Sequence, residues 1–418
     1  MKIAVLCPHF QPDVAPTGEV MTRIVHELAK RGHEMHVVTA LPWYEHHRIE
    51  PGWHGKLVHT EHTSWGSIRR VHPFPTDKRS ISRRALAFGA FSALAGLTGL
   101  RGGKVDGVIA MSPPLTLGLT GWGMSVVRRG PLVFNIQDVF PDVAVKLGAI
   151  TNRTVIGFAR TLERISYERA DAVTILSEDL RENLVAKLPS RHHQKLRVIP
   201  NFVDTDFITP LDRNTAYRRE LGLRSRTAVM YAGNVGLSQS LELVVAAARH
   251  FIARTDVVFV INGGGSNRPT IEQLAHGLPN IVFGDFQPKA RLPEVLATGD
   301  LHLVPLKKGL AASSVPSKTY SILAAGRPIL ASIDRGTEVE RLVEAAHCGC
   351  TVDPDDEKAF IGALETMLRD PVGLAEQGAA GRRHVQTWAS PAAVASAYES
   401  LLAELARPGR LGRTGRAR

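Results

Sequence analysis

Short apolar runs alternate with longer amphipathic stretches through the first half of the chain. The apolar runs predict strands at residues 2–7, 34–39, 105–111, 131–137, 171–176 and 195–199. The amphipathic stretches predict helices at residues 18–31, 115–129, 154–169 and 178–188. Strands that are each followed by a helix are typical of βαβ units, in which a parallel sheet is covered on both faces.

The pattern breaks at residues 200–226, where Pro200, Pro210 and many charges predict a linker, and then it starts again. Further strands are predicted at 227–232, 256–262, 280–283, 300–305, 328–331 and 348–352, with helices at 238–253, 267–276, 289–298, 317–325 and 337–345. Two helices and a long final one at 390–406 end the pattern.

The predicted fold class is α/β, with two doubly wound Rossmann-like domains that face a central cleft. We expect domains at residues 1–203 and 204–386, a helix at 387–406 that crosses back to the first domain, and a basic disordered tail at 407–418. A chain of 418 residues is too long for one core, because single cores stop growing at about 250–300 residues. Ligands of such sheets bind outside the carboxyl ends of the strands, so we expect the site in the cleft.

Composition narrows the class of protein. Apolar residues make up 44% and charged residues 22%, which excludes wholesale disorder. Three cysteines (Cys7, Cys348 and Cys350) form no disulfide framework and favour a reducing compartment. No run reaches the roughly 18 apolar residues of a spanning helix, and the first residues form no signal peptide. We therefore expect a cytoplasmic protein.

The net charge of +11 is concentrated in two segments. Residues 68–104 carry eight Lys and Arg against one Asp, and residues 407–418 carry five Arg and no acid. This distribution favours docking on an anionic surface over a nucleic-acid groove spread across a domain. We expect a peripheral position on the inner face of the plasma membrane and no nucleic-acid partner.

Within the first basic segment, residues 85–100 are uncharged and lie between Arg83-Arg84 and Arg101. A helix that exposes Phe88, Phe91, Leu94 and Leu97 beside these arginines would lie in a membrane interface. The alternative is a helix packed on the sheet of the first domain.

Glycine-rich turns follow two consecutive strands of the second domain. The first contains Gly233, Asn234, Gly236 and Gln239, and the second contains Gly264 and Gly265. Glycines let backbone amides approach a ligand, and a helix amino end favours phosphate. Together the turns predict a diphosphate cradle, although the first turn alone is more typical of a tight strand-to-helix turn.

A third element of this predicted diphosphate site is Ser317-Lys318, which follows Pro316 at the start of a predicted helix. A lysine at a helix start opposes the helix dipole, and a bound pyrophosphate would compensate its charge. The alternative is a solvated lysine. Asp285 and Phe286 follow the strand at 280–283. They complete the residues predicted to bind the diphosphate compound, which is called the donor.

In the first domain, the loop that leads into the helix at 18–31 supplies the residues predicted to bind the hydroxyl groups of an acceptor. These acceptor-binding residues are Asp13, Thr17, Gly18 and Glu19. Glu19 has an alternative role in complementing the helix dipole. Gln137 and Asp138 follow the apolar strand at 131–137 and are the candidate catalytic residues, with Asp138 as a general base or orienting group. The alternative for Asp138 is a turn before Pro141.

With these elements in this order, the chain resembles the GT-B glycosyltransferases of family 4, nearest the branch that makes O-antigen, capsular or colanic-acid-type polysaccharides. The resemblance covers nearly the whole chain. It is carried by Gly32-His33-Glu34, by Ile199-Pro200-Asn201-Phe202-Val203-Asp204, by Gly233-Asn234-Val235-Gly236, and by Val315-Pro316-Ser317-Lys318 followed by Ala324-Ala325-Gly326-Arg327-Pro328.

The resemblance implies a retaining, metal-independent transfer from a UDP- or GDP-sugar, bound mainly by the second domain, to a saccharide acceptor that we expect to be lipid-linked. No cofactor and no metal are expected. Four departures from the family pattern concern the site: Gln137 stands for a histidine, Phe202 for a glycine, Ser313 and Ser321 for two glutamates, and Asn234 and Gln239 for an arginine and a lysine. Phosphate charge would then rest on Lys318 and the glycine amides.

Two other functions remain open from the sequence. A nucleotide-sugar epimerase or hydrolase would have a similar two-lobed fold, with acid–base carboxylates and histidines in its cleft. A non-catalytic scaffold of a polysaccharide assembly is favoured by the missing glutamates. Nucleotide-diphosphate binding would separate an enzyme from a scaffold.

Overall fold

The computed structural model describes residues 1–75, 81–142, 145, 150–309 and 318–407, and for 81–85 it describes the backbone alone. The chain divides into two compact units. The first comprises Met1–Asn201 and the segment from Pro391, and the second comprises Phe202–Ser390. Ser313, Ser317 and the tail at 408–418 lie outside the described residues.

The first unit contains an eight-stranded sheet in the order β3-β4-β2-β1-β5-β6-β7-β8, in which only the β3–β4 pair is antiparallel. Its strands are β1 (Lys2–Leu6), β2 (Glu34–Ala40), β3 (Val58–Thr63), β4 (Gly66–Val71), β5 (Gly107–Ser112), β6 (Leu132–Ile136), β7 (Ala172–Ile175) and β8 (Leu196–Val198). Every residue of β5 and β6 is buried, as expected for parallel strands that are covered on both faces.

The helices of the first unit are α1 (Pro16–Lys30), α2 (Ile81–Gly99), α3 (Thr116–Arg128), α4 (Arg153–Arg169), α5 (Glu178–Lys187) and, at the end of the described chain, α14 (Pro391–Ala406). As predicted, the last helix returns to the first unit, where it packs on α1. Glu399 of α14 accepts hydrogen bonds from Arg31 and contacts His33 Nε2, each at 3.0 Å.

The hairpin β3–β4 was not predicted. It gives basic residues of the segment 68–104 a structural role. Arg70 of β4 is 1% exposed and donates to the Glu61 carboxylate of β3, while Arg69 donates to the carbonyl of Thr98 at 3.1 Å. Two of the eight basic residues therefore serve contacts inside the first unit rather than a shared docking surface.

Helix α2 packs on α3, β2 and β4, which is the alternative that the sequence left open. Phe91 is 3% exposed and Leu94 packs against the core, so the expectation of an exposed face of Phe88, Phe91, Leu94 and Leu97 is wrong for these two residues. Leu97 is exposed as expected. In the part of the chain that the structure describes, no helix combines the length and apolarity that crossing a membrane requires.

The second unit contains a six-stranded parallel sheet in the order β11-β10-β9-β12-β13-β14. The strands are β9 (Thr227–Ala232), β10 (Val257–Asn262), β11 (Ile281–Gly284), β12 (Leu301–Pro305), β13 (Ile329–Ser332) and β14 (Gly349–Val352). Its helices are α6 (Ala216–Glu220), α7 (Glu242–His250), α8 (Arg268–Leu274), α9 (Leu292–Thr298), α10 (Lys318–Ala324), α11 (Glu338–Ala346), α12 (Glu357–Leu368) and α13 (Pro371–Trp388). The predicted α/β class with two Rossmann-like domains is confirmed.

Candidate functional site

The two glycine-rich turns of the second unit pack against each other at the carboxyl ends of β9 and β10. Gly233 donates its amide to the Asn262 carbonyl at 2.9 Å, and Val235 donates to the Gly264 carbonyl at 2.8 Å. A β-carbon on Gly263 would lie 1.9 Å from the Gly233 carbonyl oxygen. The glycines are therefore needed because two backbone segments touch here.

Because of such internal bonds, fewer backbone amides of the predicted cradle can bind a phosphate. The amides of Gly233 and Gly263 donate to carbonyls at the ends of the neighbouring strands β10 and β11, and the amide of Gly236 donates to Gln239 Oε1 at 3.0 Å. A group that already donates within the protein contributes less to an incoming phosphate, because the existing bond must first be broken. The turns position the site, and its charge has to come from a side chain.

Lys318 is that side chain. At the first residue of α10, its Nζ donates to the Tyr231 hydroxyl at 2.8 Å and lies 4.4 Å from the centre of the Tyr231 ring. A β-carbon on Gly233 would lie 2.8 Å from the same Nζ, so the ammonium group is adjacent to the first glycine turn. Tyr231 in turn donates to the Asn234 carbonyl and so ties the lysine to that turn.

The electrostatics of Lys318 are unusual for a lysine. Burial of the ammonium lowers its pKa to about 8. Among the described residues no carboxylate pairs with it, and its observed partner is a neutral hydroxyl. Burial also raises the pKa of Tyr231, which keeps that hydroxyl protonated. A partly buried cation without a counterion is costly for the protein and suited to an anionic ligand.

The other predicted donor-binding residues surround this point to different degrees. Asn234 and Gln239 lie in the turn after β9, and a β-carbon on Gly265 would meet the Asn234 side chain at 2.8 Å. Asp285 accepts from Arg268 Nη1 at 2.7 Å, and Arg268 also donates to the Gly263 carbonyl. Phe286 is 61% exposed beside Gly264.

At the carboxyl edge of the first unit lies a cavity of about 430 Å³. Its walls are largely apolar and aromatic, and two predicted site residues, Thr17 and Asp138, take part in them. The other lining residues are Pro8, His9, Pro16, Ala40, Trp43, Tyr44, His47, Pro73, Phe74, Ala87, Phe88, Phe91, Pro113 and Pro114. Its volume is within the range of small-molecule sites.

Asp13, a predicted acceptor-binding residue, is 7% exposed and is occupied by internal contacts. One carboxylate oxygen lies 2.6 Å from His9 Nδ1, and the other accepts the amide of Tyr44 at 3.0 Å. His9 stacks on Trp43 with ring centres 5.7 Å apart. Asp13 therefore holds the orientation of a cavity histidine and the loop after β2, rather than presenting a carboxylate to the cavity.

Gly18, in the first turn of α1, lies against the loop after β1, because a β-carbon there would be 2.7 Å from His9 Cβ. Glu19 is exposed in the first turn of α1, the position where an acid complements the helix dipole. Of the four predicted acceptor-binding residues, Thr17 is the one whose side chain lines the cavity.

The two candidate catalytic residues have different surroundings. Asp138 lines the cavity, and partial burial of its carboxyl raises its pKa. Gln137 is 7% exposed and belongs to a polar network: its Nε2 donates to Asn135 at 2.8 Å, and its Oε1 accepts from Asn201 at 2.8 Å. Asn135 of β6 donates to the Tyr398 hydroxyl of α14 at 2.8 Å, so the network that includes Gln137 extends to the last helix.

Sequence reasoning missed Tyr231 and His9 as site residues. Both stand at the carboxyl end of a strand, Tyr231 within β9 and His9 just after β1, and that position was the available signal. One group of described residues has ligand atoms close enough to share a metal ion, namely Glu45, His46 and Glu50, of which the first two are exposed. Independence from metal stays a prediction.

Two protein-family models match the chain. Residues 17–201 match the "Glycosyl transferase 4-like domain", and residues 226–370 match "Glycosyl transferases group 1". The Escherichia coli K12 protein named "Putative colanic acid biosynthesis glycosyl transferase WcaI" is 28% identical, over 89% of this chain and 93% of that protein. A GDP-mannose-dependent alpha-mannosyltransferase of Mycolicibacterium smegmatis is 26% identical, over 93% of this chain and 94% of its own length.

Solved structures share the fold at low sequence identity. Sucrose-phosphate synthase from Thermosynechococcus elongatus superposes with a TM-score of 0.66 at 18% identity, covering 97% of this chain and 99% of that one. HepE from Anabaena, solved in complex with UDP, has a TM-score of 0.64 at 15% identity, covering 97% and 100%.

Proposed function

Because the chain belongs to the GT-B glycosyltransferases that join a 4-like domain to a group 1 domain, we propose that it transfers a sugar from a UDP- or GDP-sugar to a saccharide acceptor in cell-surface polysaccharide biosynthesis. The name of WcaI supports the polysaccharide context. UDP and GDP both remain as the donor nucleotide, because HepE was solved with UDP and the mycobacterial relative depends on GDP-mannose.

The observation that carries the donor proposal is the position of Lys318. Its ammonium is partly buried, has Tyr231 as its partner and touches the turn that contains Gly233. During transfer the bond from the anomeric carbon to the diphosphate breaks, and its electron pair stays on the diphosphate oxygen. A fixed cation beside that oxygen stabilises the charge that develops on it.

The rest of the reaction is proposed from the resemblance. The acceptor oxygen bonds to the anomeric carbon with retention of configuration, and the acceptor proton leaves to the diphosphate. Independence from metal is likewise proposed from the resemblance, with Lys318 as the positive charge beside the diphosphate.

The acceptor side of the proposal rests on the cavity of the first unit. Aromatic walls such as Trp43 and Phe74 suit the faces of sugar rings or the apolar part of a lipid-linked saccharide. The polar side chains of this wall that can meet acceptor hydroxyls are those of His9, Thr17, Tyr44, His47 and Asp138. We place acceptor recognition here and assign Asp13 and Gly18 to holding His9 in place.

Calorimetric titration with UDP, GDP and their sugars tests the donor site. We expect Lys318→Met to weaken nucleotide binding about 10- to 100-fold, since a hydrogen bond to a charged group contributes about 1.5–3 kcal/mol. Lys358→Met is the matched control, because Lys358 is an exposed lysine of α12.

Equal affinities for the wild type and Lys318→Met would contradict the donor site. If the wild type bound none of these nucleotides, the non-catalytic scaffold would be the better account.

A further inference from the structure

Three helices form one layer on the sheet of the first unit. Helix α3 packs against β5 and β6 and lies between α2 and α4. The contacts are close: Ser92 of α2 meets Thr116 at 2.7 Å, and a β-carbon on Gly118 would lie 2.6 Å from Ser166 of α4. The sides of the three helices that do not face the sheet therefore form one continuous outer face.

Helix α2 exposes an apolar stripe on this outer face. Leu86 is 75% exposed and Leu97 is 66% exposed, and Ala90 and Ala93 between them are exposed as well. Their spacing of four, three and four residues keeps all four on one side of the helix. The opposite side carries the buried Phe91 and Ala95.

Helix α4 repeats this arrangement. Phe158 is 72% exposed, Val155 42% and Ile165 36%, and the spacing of three and seven residues places them on one side. The buried side contains Ala159 and Tyr167. Between these helices, α3 exposes Val126 and Val127 at 45% and 57%. Soluble monomers seldom expose apolar residues in such adjacent stripes without an interaction.

The charges around these stripes are mainly positive, and Glu168 of α4 is a half-buried acid among them. Arg153, Arg160, Arg164 and Arg169 of α4 are all exposed, and Arg169 stacks over Trp122 of α3 at 4.7 Å. Helices α2 and α3 contain no acidic residue. Of the two glutamates in α4, Glu163 is buried and bonded to Lys187 at 3.0 Å.

We propose that the outer face of α2, α3 and α4 docks on an anionic lipid bilayer, with Leu97 and Phe158 inserted among the acyl chains and the arginines of α4 against the headgroups. The face combines exposed apolar stripes with basic flanks, which is the composition of interfacial helices. This inference does not require the sugar-transfer proposal, because bilayer binding and nucleotide binding use different units.

A second copy of the chain fits this face less well. In a symmetric dimer the same patch meets itself, so two patches that each carry four arginines against one half-buried glutamate, Glu168, would face and repel each other. An anionic bilayer instead pairs the arginines with negative charge and covers the apolar side chains.

Co-sedimentation of the purified full chain with vesicles tests the proposal. We expect binding to vesicles of phosphatidylcholine and phosphatidylglycerol and much weaker binding to phosphatidylcholine alone, with a decrease at high salt. Phe158→Ser and Leu97→Ser should each weaken this binding about tenfold, because each removes one inserted apolar side chain. The control is the double variant Ile252→Ser, Val372→Ser, whose residues are 48% and 69% exposed in the second unit.

Charge variants separate the contribution of the arginines from that of the inserted apolar side chains. Arg160→Gln with Arg164→Gln should reduce the preference for phosphatidylglycerol, while the apolar variants reduce binding to both kinds of vesicle. Absence of vesicle binding by the wild type would overturn the proposal, as would equal binding by Phe158→Ser, Leu97→Ser and the control. A concentration-dependent dimer in sedimentation velocity that Phe158→Ser abolishes, without vesicle binding, would assign the face to a second copy.

Discussion

The carboxyl edges of the two sheets carry different kinds of residues, although both units have the same Rossmann-like architecture. In the second unit, glycines bring two turns into contact, and the ammonium of Lys318 lies beside the first of them. In the first unit, aromatic side chains surround a cavity, and the buried carboxylate of Asp13 holds His9 at its wall. One edge suits a charged ligand, and the other suits a ligand with apolar faces and hydroxyls.

This difference shows which part of each edge is structural. In the second unit the backbone forms the frame, and Lys318 supplies the positive charge, since Arg268 beside the second turn is already paired with Asp285. In the first unit a side-chain pair, His9 and Asp13, forms the frame, and the surrounding rings supply the surface. Substitutions at the two edges should therefore differ in what they disturb, and four variants measure the difference.

The largest effect is expected from Gly263→Ala in the second unit. The residue has φ of 135°, and the added methyl group would lie 1.9 Å from the Gly233 carbonyl oxygen, so the backbone itself must move. We expect a loss of about 4 kcal/mol in the free energy of unfolding, measured by urea denaturation with circular dichroism. Gly277→Ala is the control, because it shares a positive φ of 82° but meets no atom, and it should cost about 1 kcal/mol. Equal losses would contradict the close contact of the two turns.

Asp13→Ala should have the next largest effect, confined to the first unit. It removes the acceptor of the Tyr44 amide and the partner of His9, which we expect to cost about 3 kcal/mol. Urea unfolding followed by tryptophan fluorescence reports it, since Trp43 lies at the affected loop. Asp13→Asn keeps an acceptor oxygen and should recover part of the loss. If the alanine variant were as stable as the wild type, the pair would not form the frame of this edge.

Lys318→Met should stabilise the protein in the absence of nucleotide. Burial lowers the pKa of Lys318 from 10.5 to about 8, so the charged form is disfavoured in the native state. That cost is complete below pH 8 and disappears as the pH rises towards 10.5. At neutral pH we expect a gain of about 2 kcal/mol by thermal or urea unfolding, which shrinks at alkaline pH. A destabilised variant would mean that the contacts of Lys318 with Tyr231 outweigh the cost of burying its charge, and it would contradict this prediction.

The smallest effect is expected from Phe286→Ala. The ring is 61% exposed beside Gly264, so its removal disturbs little of the fold. If it packs on the donor nucleoside, nucleotide binding should weaken by about 1 kcal/mol, as stacking contacts of this kind contribute. Titration calorimetry with the preferred nucleotide measures the change, and unchanged binding would remove Phe286 from the donor site.

Much of the fold followed from the sequence because parallel strands that are buried on both faces form uninterrupted apolar runs. The strand predicted at 227–232 is β9, and the strand predicted at 131–137 is β6. The hairpin β3–β4 was missed because β3 reads Val-His-Thr-Glu-His-Thr, with alternately exposed and half-buried residues and no apolar face.

The site was harder to predict because its decisive contacts join distant parts of the chain. A lysine at a helix start could be identified from the sequence, but its partner Tyr231 lies 87 residues earlier. Asp13 was expected to meet an acceptor, since nothing local indicates that the loop after β2 folds over its carboxylate. Gln137 was likewise drawn into a network that includes Tyr398 of the last helix, 263 residues from Asn135.

Proton uptake on nucleotide binding tests the central claim most directly. If a diphosphate binds beside Lys318, the bound anion must raise the pKa of that ammonium from about 8, so the complex gains protons above this pH. Calorimetry near pH 8.5 in buffers of different ionisation enthalpy measures the number of protons taken up. We predict a substantial fraction of one proton for the wild type and none for Lys318→Met. Equal uptake by both proteins, or none by the wild type, would contradict the assignment of Lys318 as the phosphate-binding cation.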